Sequence, residues 1–78
     1  MPLIKSLGSI KICMYFRDHN PPHFHILYAE YEELITISTL TTYAGKVPAA
    51  QRKKVISWAQ ENQQFLIGQW NILNPPKE

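Results

Sequence analysis

The sequence predicts an α+β fold: a three-stranded antiparallel sheet running as a meander, packed by one kinked or two C-terminal helices. Two observations carry this reading. Between residues 10 and 39 apolar and polar residues alternate at the period of a half-buried strand, interrupted by turn-forming residues. From Val55 onward the apolar spacing changes to the helical period.

The first strand is expected over residues 10–17, with Ile10, Ile12, Met14 and Phe16 on the core side and Lys11, Cys13, Tyr15 and Arg17 on the other. Asp18-His19-Asn20-Pro21-Pro22 is turn chemistry, because proline donates nothing to a ladder and Asn and Asp favour turns. Phe24, Ile26 and Tyr28 alternate with His25, Leu27 and Ala29 in a second strand. The β-branched run Leu34 to Thr39 makes a third, with Ile35 and Ile37 on one face. The short gap around Glu30–Glu32 implies a tight turn between them. Tyr43 to Pro48 reads as a loop, with Pro48 suited to a first helical turn. Val55, Trp58, Ala59, Asn62, Phe65, Leu66, Trp70 and Leu73 then form an apolar helical stripe. One helix over 49–73 would be about 37 Å long at roughly 1.5 Å per residue, too long for so small a domain. A break is therefore expected near Asn62–Gln64, and Asn74-Pro75-Pro76 ends the helix.

The 78 residues allow one domain, residues 1–78, with a mobile tail expected over 74–78. Cys13 is the single cysteine, which excludes an intrachain disulfide and fits a reducing cytoplasm. No signal peptide and no membrane-length apolar run are seen, so a soluble cytoplasmic protein is expected. The net charge of +2 does not by itself imply nucleic acid. Lys46, Arg52, Lys53 and Lys54 offer a basic edge for RNA, with a solvated helix face as the default. Glu30, Glu32 and Glu33 read as an acidic turn, any one of which could orient a histidine. Cys13 reads as packing, and Trp58 and Trp70 as core.

The chemistry gathers in one stretch. All three histidines lie within residues 19–25, around a Pro-Pro pair and beside Arg17 and Asp18. Alternation places His23 and His25 on one face, roughly 6–7 Å apart, and Tyr15 and Arg17 on the same open face. Asp18 and His19 fall at its rim. Three readings follow. In the first, His23 and His25 form a metal-free acid–base pair on a phosphodiester, Arg17 clamps the phosphate, Tyr15 and His19 assist, and RNA is the substrate. In the second, His23 and His25 are a ligand pair for a divalent transition metal, and His19 or Asp18 completes three ligands with an open position for water. In the third, the histidines lock a loop.

From Met14-Tyr15-Phe16-Arg17-Asp18-His19-Asn20-Pro21-Pro22-His23-Phe24-His25, the sequence resembles the bacterial family known as domain of unknown function 4160 (DUF4160). The likeness continues through Tyr28, Glu30, Tyr31, Glu32, the Leu34-Ile35-Thr36-Ile37 strand, Gly45-Lys46-Val47-Pro48, Val55 to Ala59 and Trp70. Members are small stand-alone proteins often encoded beside another small protein. The resemblance therefore implies one component of a toxin–antitoxin-like module whose partner is a small protein from the adjacent gene. The histidine hairpin would be its active or recognition site. Metal-independent RNA cleavage without a cofactor is the first expectation. A non-enzymatic interaction module, or a metal-binding protein, is the alternative. A homodimer is compatible with the thin core. The chain departs from the family pattern at Ala49 and Ala50, and at Asn62 and Gln63, where relatives tend to carry basic residues and His-Arg, respectively.

Overall fold

In the computed structural model, which describes residues 3–75, five strands are followed by two helices. The strands are β1 (Leu3–Leu7), β2 (Ile10–Cys13), β3 (His23–Tyr28), β4 (Tyr31–Thr36) and β5 (Thr42–Lys46); the helices are α1 (Ala49–Gln60) and α2 (Gln63–Leu73). Each strand pairs antiparallel with the next, in the order β1-β2-β3-β4-β5. The expected α+β meander with two C-terminal helices is therefore present, but its sheet has five strands rather than three.

The two added strands are the sheet edges, and their sequences explain why alternation does not reveal them. In β1 only Ile4 and Leu7 pack against the core. In β5, part of which is expected as a loop, every residue is exposed. Gly45 in β5 has φ +75°, and a Cβ there would run into the Glu32 carbonyl, so this strand is built on backbone fit.

The inner strands are shorter or shifted. β2 stops at Cys13 instead of continuing to 17, and Phe16, expected in the core, is 67% exposed. Arg17 has φ 55°, which takes the chain out of the strand. β4 occupies 31–36 rather than 34–39, because Ala29 and Glu30 alone make the turn, with Ala29 at φ 52° and Tyr28 paired to Tyr31.

One sheet face carries Ile10, Ile12, Phe24, Ile26 and Ile35, and Val55, Ala59, Leu66, Trp70 and Leu73 of the helices join them in one buried cluster. Fully burying a side chain such as Phe24 contributes about 1.5–3 kcal/mol. The helix break falls at Glu61–Asn62, as expected. There Asn62 Nδ2 donates to the Trp58 carbonyl at 2.8 Å, and Gln63 Nε2 donates to the Ile37 carbonyl at 2.9 Å. Asn62 and Gln63 thus brace the helix joint. Trp58 is only half-buried, and Phe65, expected on the buried stripe, is exposed.

Glu33 overturns the reading of an exposed acidic turn. The register places it beside Ile26 on the helix-facing side, where it is 1% exposed. Its carboxylate accepts from the Val47 amide at 3.0 Å, from Arg52 Nε at 2.9 Å and from the Thr42 hydroxyl. Arg52 is thereby spent on the core, leaving Lys46, Lys53 and Lys54 of the expected basic edge exposed.

No helix is long and apolar enough to cross a membrane. Of the tail expected over 74–78, Asn74 is hydrogen-bonded to the loop after β2, and residues 76–78 lie outside the described residues.

Candidate functional site

The site forms where the loop between β2 and β3 returns the chain to the sheet. That loop contains the cis Asn20–Pro21 bond and is fastened to the end of α2 by one side chain. Asn74 Oδ1 accepts from the Asp18 amide at 2.6 Å, and Asn74 Nδ2 donates to the Tyr15 carbonyl at 3.1 Å. These bonds fix the backbone on both sides of Arg17 and set Asp18 against the start of β3.

Asp18, His23 and His25 converge. Their ligand-type atoms all lie within 4.8 Å of one another. Asp18 Oδ2 is 3.0 Å from His23 Nε2 and 3.4 Å from His25 Nε2. The other nitrogen of each ring is engaged: His23 Nδ1 is 2.7 Å from the Pro21 carbonyl and His25 Nδ1 is 2.9 Å from Glu32 Oε2. A carbonyl and a carboxylate only accept, so both Nδ1 atoms carry the hydrogen. In the neutral rings both Nε2 atoms are then lone pairs, and they face a carboxylate oxygen. His23 Nε2 sits at ion-pair distance from Asp18, yet off the direction of a hydrogen bond, and this buried nitrogen has no hydrogen-bond partner. With neutral rings, three acceptors lie within 4.8 Å of one another, an arrangement that is repulsive unless a proton or a positive charge lies among them.

Burial alone would raise the Asp18 carboxyl, but the His19 amide, the His25 ring and the charges available to His23 and His19 outweigh burial and hold it below the ordinary carboxylate range. Burial also pushes the Tyr15 hydroxyl upward, with nearby Cys13, Glu32 and Asp18 adding to the shift. The Tyr15 ring stands edge-on to His25 with centroids 4.4 Å apart.

His23 and His25 are brought together, as expected, but not on an open face. The His23 side chain is fully buried and that of His25 is 12% exposed. Trp70 and Tyr43 explain the difference. The His23 ring lies 5.2 Å from the Trp70 ring and 5.5 Å from that of Tyr43, centroid to centroid. His19 is exposed, with Nδ1 3.2 Å from Asp18 Oδ1, and stands outside the converging trio. Arg17 is exposed beside it. Of Glu30, Glu32 and Glu33, it is Glu32 that orients a histidine. Sequence reasoning misses Trp70, Tyr43 and Asn74 as site residues. Trp70 lies on the apolar helical stripe and Asn74 at a helix end, and nothing in their local pattern separates site from scaffold.

A family model described as "Domain of unknown function (DUF4160)" matches residues 9–71, which include Asp18, His23, His25, Glu32 and Trp70. No curated protein and no solved structure matches the chain.

Proposed function

Since this chain belongs to the DUF4160 family, whose description assigns no chemistry, we propose a function from its own residues: it is a metal-binding protein that holds one divalent transition metal on Asp18 Oδ2, His23 Nε2 and His25 Nε2. The observation that carries this reading is the convergence of three acceptors whose second atoms are already committed. Ligands of a tetrahedral site with bonds of about 2.0–2.1 Å stand about 3.3 Å apart; here Asp18 Oδ2 lies 3.0 and 3.4 Å from the two nitrogens, and all three atoms lie within 4.8 Å of one another. Metal-bound imidazoles characteristically donate their other N–H to a carbonyl or carboxylate, the roles of Pro21 and Glu32 here. Three protein ligands leave a position for water, which a metal of the zinc class acidifies toward neutrality, so the reaction class that fits is hydrolysis.

Metal-free acid–base catalysis by His23 with His25 has less support, because a fully buried His23 held by Pro21 cannot touch a phosphodiester. A toxin–antitoxin-like module acting on RNA with a small protein partner remains part of the proposal, supported by the family resemblance and the exposed Arg17. A proton on His25, shared with Asp18 at 3.4 Å, is the competing way to satisfy the trio.

The test is metal titration of untagged protein stripped with chelator. One equivalent of Zn(II) or Co(II) is expected, with Co(II) giving the visible bands of a low-coordinate site. His23→Ala plus His25→Ala should abolish it. Uptake well below one equivalent, or uptake indifferent to the double substitution, refutes the reading.

A further inference from the structure

We propose that the cleft beside the trio is a subsite for a phosphate ester, with Arg17 as its anchoring cation; this deepens the metal reading and rests on it. The cleft measures about 870 Å³ and lies between the loop after β2 and the end of α2, with Arg17, Asp18, Asn20, Trp70 and Asn71 among its walls. Two of those residues belong to both places. Asp18 supplies a ligand atom to the trio, and the ring of Trp70 packs on His23. A molecule in the cleft therefore sits next to the proposed metal.

The walls carry unspent polar groups. Arg17 is exposed and has no acidic partner among the described residues, whereas Arg52 is committed to Glu33. The adjacent Asp18 is already shared among three histidines and does not neutralise it. Asn20 and Asn71 are exposed, and their amides make no hydrogen bond among the described residues. Arg17 also holds φ 55°, where glycine or asparagine would be unstrained. Ala29 and Leu40 adopt the same conformation in turns, so the backbone alone is no argument. What distinguishes Arg17 is that it brings an exposed charged fork to the walls of the cleft.

The donor set selects the ligand. A guanidinium engages two oxygens of a phosphate at once, and the group has further oxygens for the metal and the asparagine amides. A carboxylate, with two oxygens, cannot serve all of them. The volume exceeds what a bare ion needs and falls within the range of about 300–1,000 Å³ that holds small organic ligands. A phosphate carrying an organic substituent fits this space.

Arg17→Gly is the decisive variant, because glycine relaxes the backbone at this position and the protein should fold at least as well. Metal-loaded wild-type protein should bind phenyl phosphate by calorimetry, and the Mn(II)-loaded form should broaden its ³¹P resonance. Arg17→Gly should retain the full metal content and lose at least tenfold in phenyl phosphate affinity, while Arg17→Lys recovers part of it. Benzoate should bind at least tenfold more weakly than phenyl phosphate. The inference is overturned if the loaded protein binds no phenyl phosphate, if Arg17→Gly binds it unchanged, or if benzoate binds equally well. Failure to load metal overturns the metal reading instead. Calorimetry on metal-free protein then still decides whether Arg17 anchors the ester.

Discussion

Replacing Arg52 by alanine strands Glu33, and the cost can be worked from the contacts. The carboxylate is almost wholly buried, with its side chain 2% exposed. It keeps the Val47 amide and the Thr42 hydroxyl when the guanidinium is removed. Stranding one partner of a buried pair costs about 3–5 kcal/mol. Arg52 is 34% exposed, so solvent already screens part of the attraction. The remaining hydrogen bonds soften the loss further, which leaves about 2–3 kcal/mol. A 78-residue domain at roughly 0.05–0.15 kcal/mol per residue has about 4–12 kcal/mol in all. The loss should therefore lower the urea midpoint by about 2 M or more, for a slope of roughly 1 kcal/mol/M. Adding Glu33→Gln removes the stranded charge and keeps an acceptor for Val47. The double variant should be more stable than Arg52→Ala alone. An Arg52→Ala stability within about 0.5 kcal/mol of wild type, or a double variant no better than the single, would show that Glu33 is not held by its charge pair.

Further outcomes are expected elsewhere. Glu32→Gln weakens the acceptor of His25 Nδ1, so metal affinity should fall about 10–100-fold with unchanged stoichiometry, read by competition with a chromophoric chelator. Gly45→Ala forces a side chain against the Glu32 carbonyl and should lower the melting temperature. Gly68→Ala meets nothing within 4 Å in helix α2 and should raise stability by about 0.5–1 kcal/mol. Burial pushes the Cys13 thiol upward, so a thiol reagent at pH 8 should react far more slowly with native than with urea-unfolded protein. Because the folded thiol keeps its proton above the pH at which the unfolded one ionises, the Cys13 contribution to stability is complete below the ordinary thiol range and declines as the pH rises through and above it.

The legible parts of the sequence are those where one physical signal dominates. Ile10, Ile12, Phe24, Ile26 and Ile35 alternate because one face of the sheet is buried, and the core follows from them. The edge strands have no buried face to advertise, so β5, exposed along its length, reads as loop. Glu33 reads as a solvated acid because its environment is made by Arg52 and Thr42, which are distant in sequence and supply the missing partners. The histidine stretch is recognisable as a unit, but its chemistry depends on Asp18 being turned into the hairpin. That turn depends on the φ of Arg17 and on Asn74, neither of which local periodicity encodes.

The clasp made by Asn74 has a consequence for the order in which the molecule is assembled. It joins Asp18 and Tyr15 to a residue 56 and 59 positions further along the chain. Closing a loop of that length is slow and entropically costly compared with forming the local β-hairpins. A growing polypeptide can pair β2 with β3 while Asp18 still lacks its anchor. The grouping of Asp18 with His23 and His25 is therefore completed only after α2 has docked against the loop.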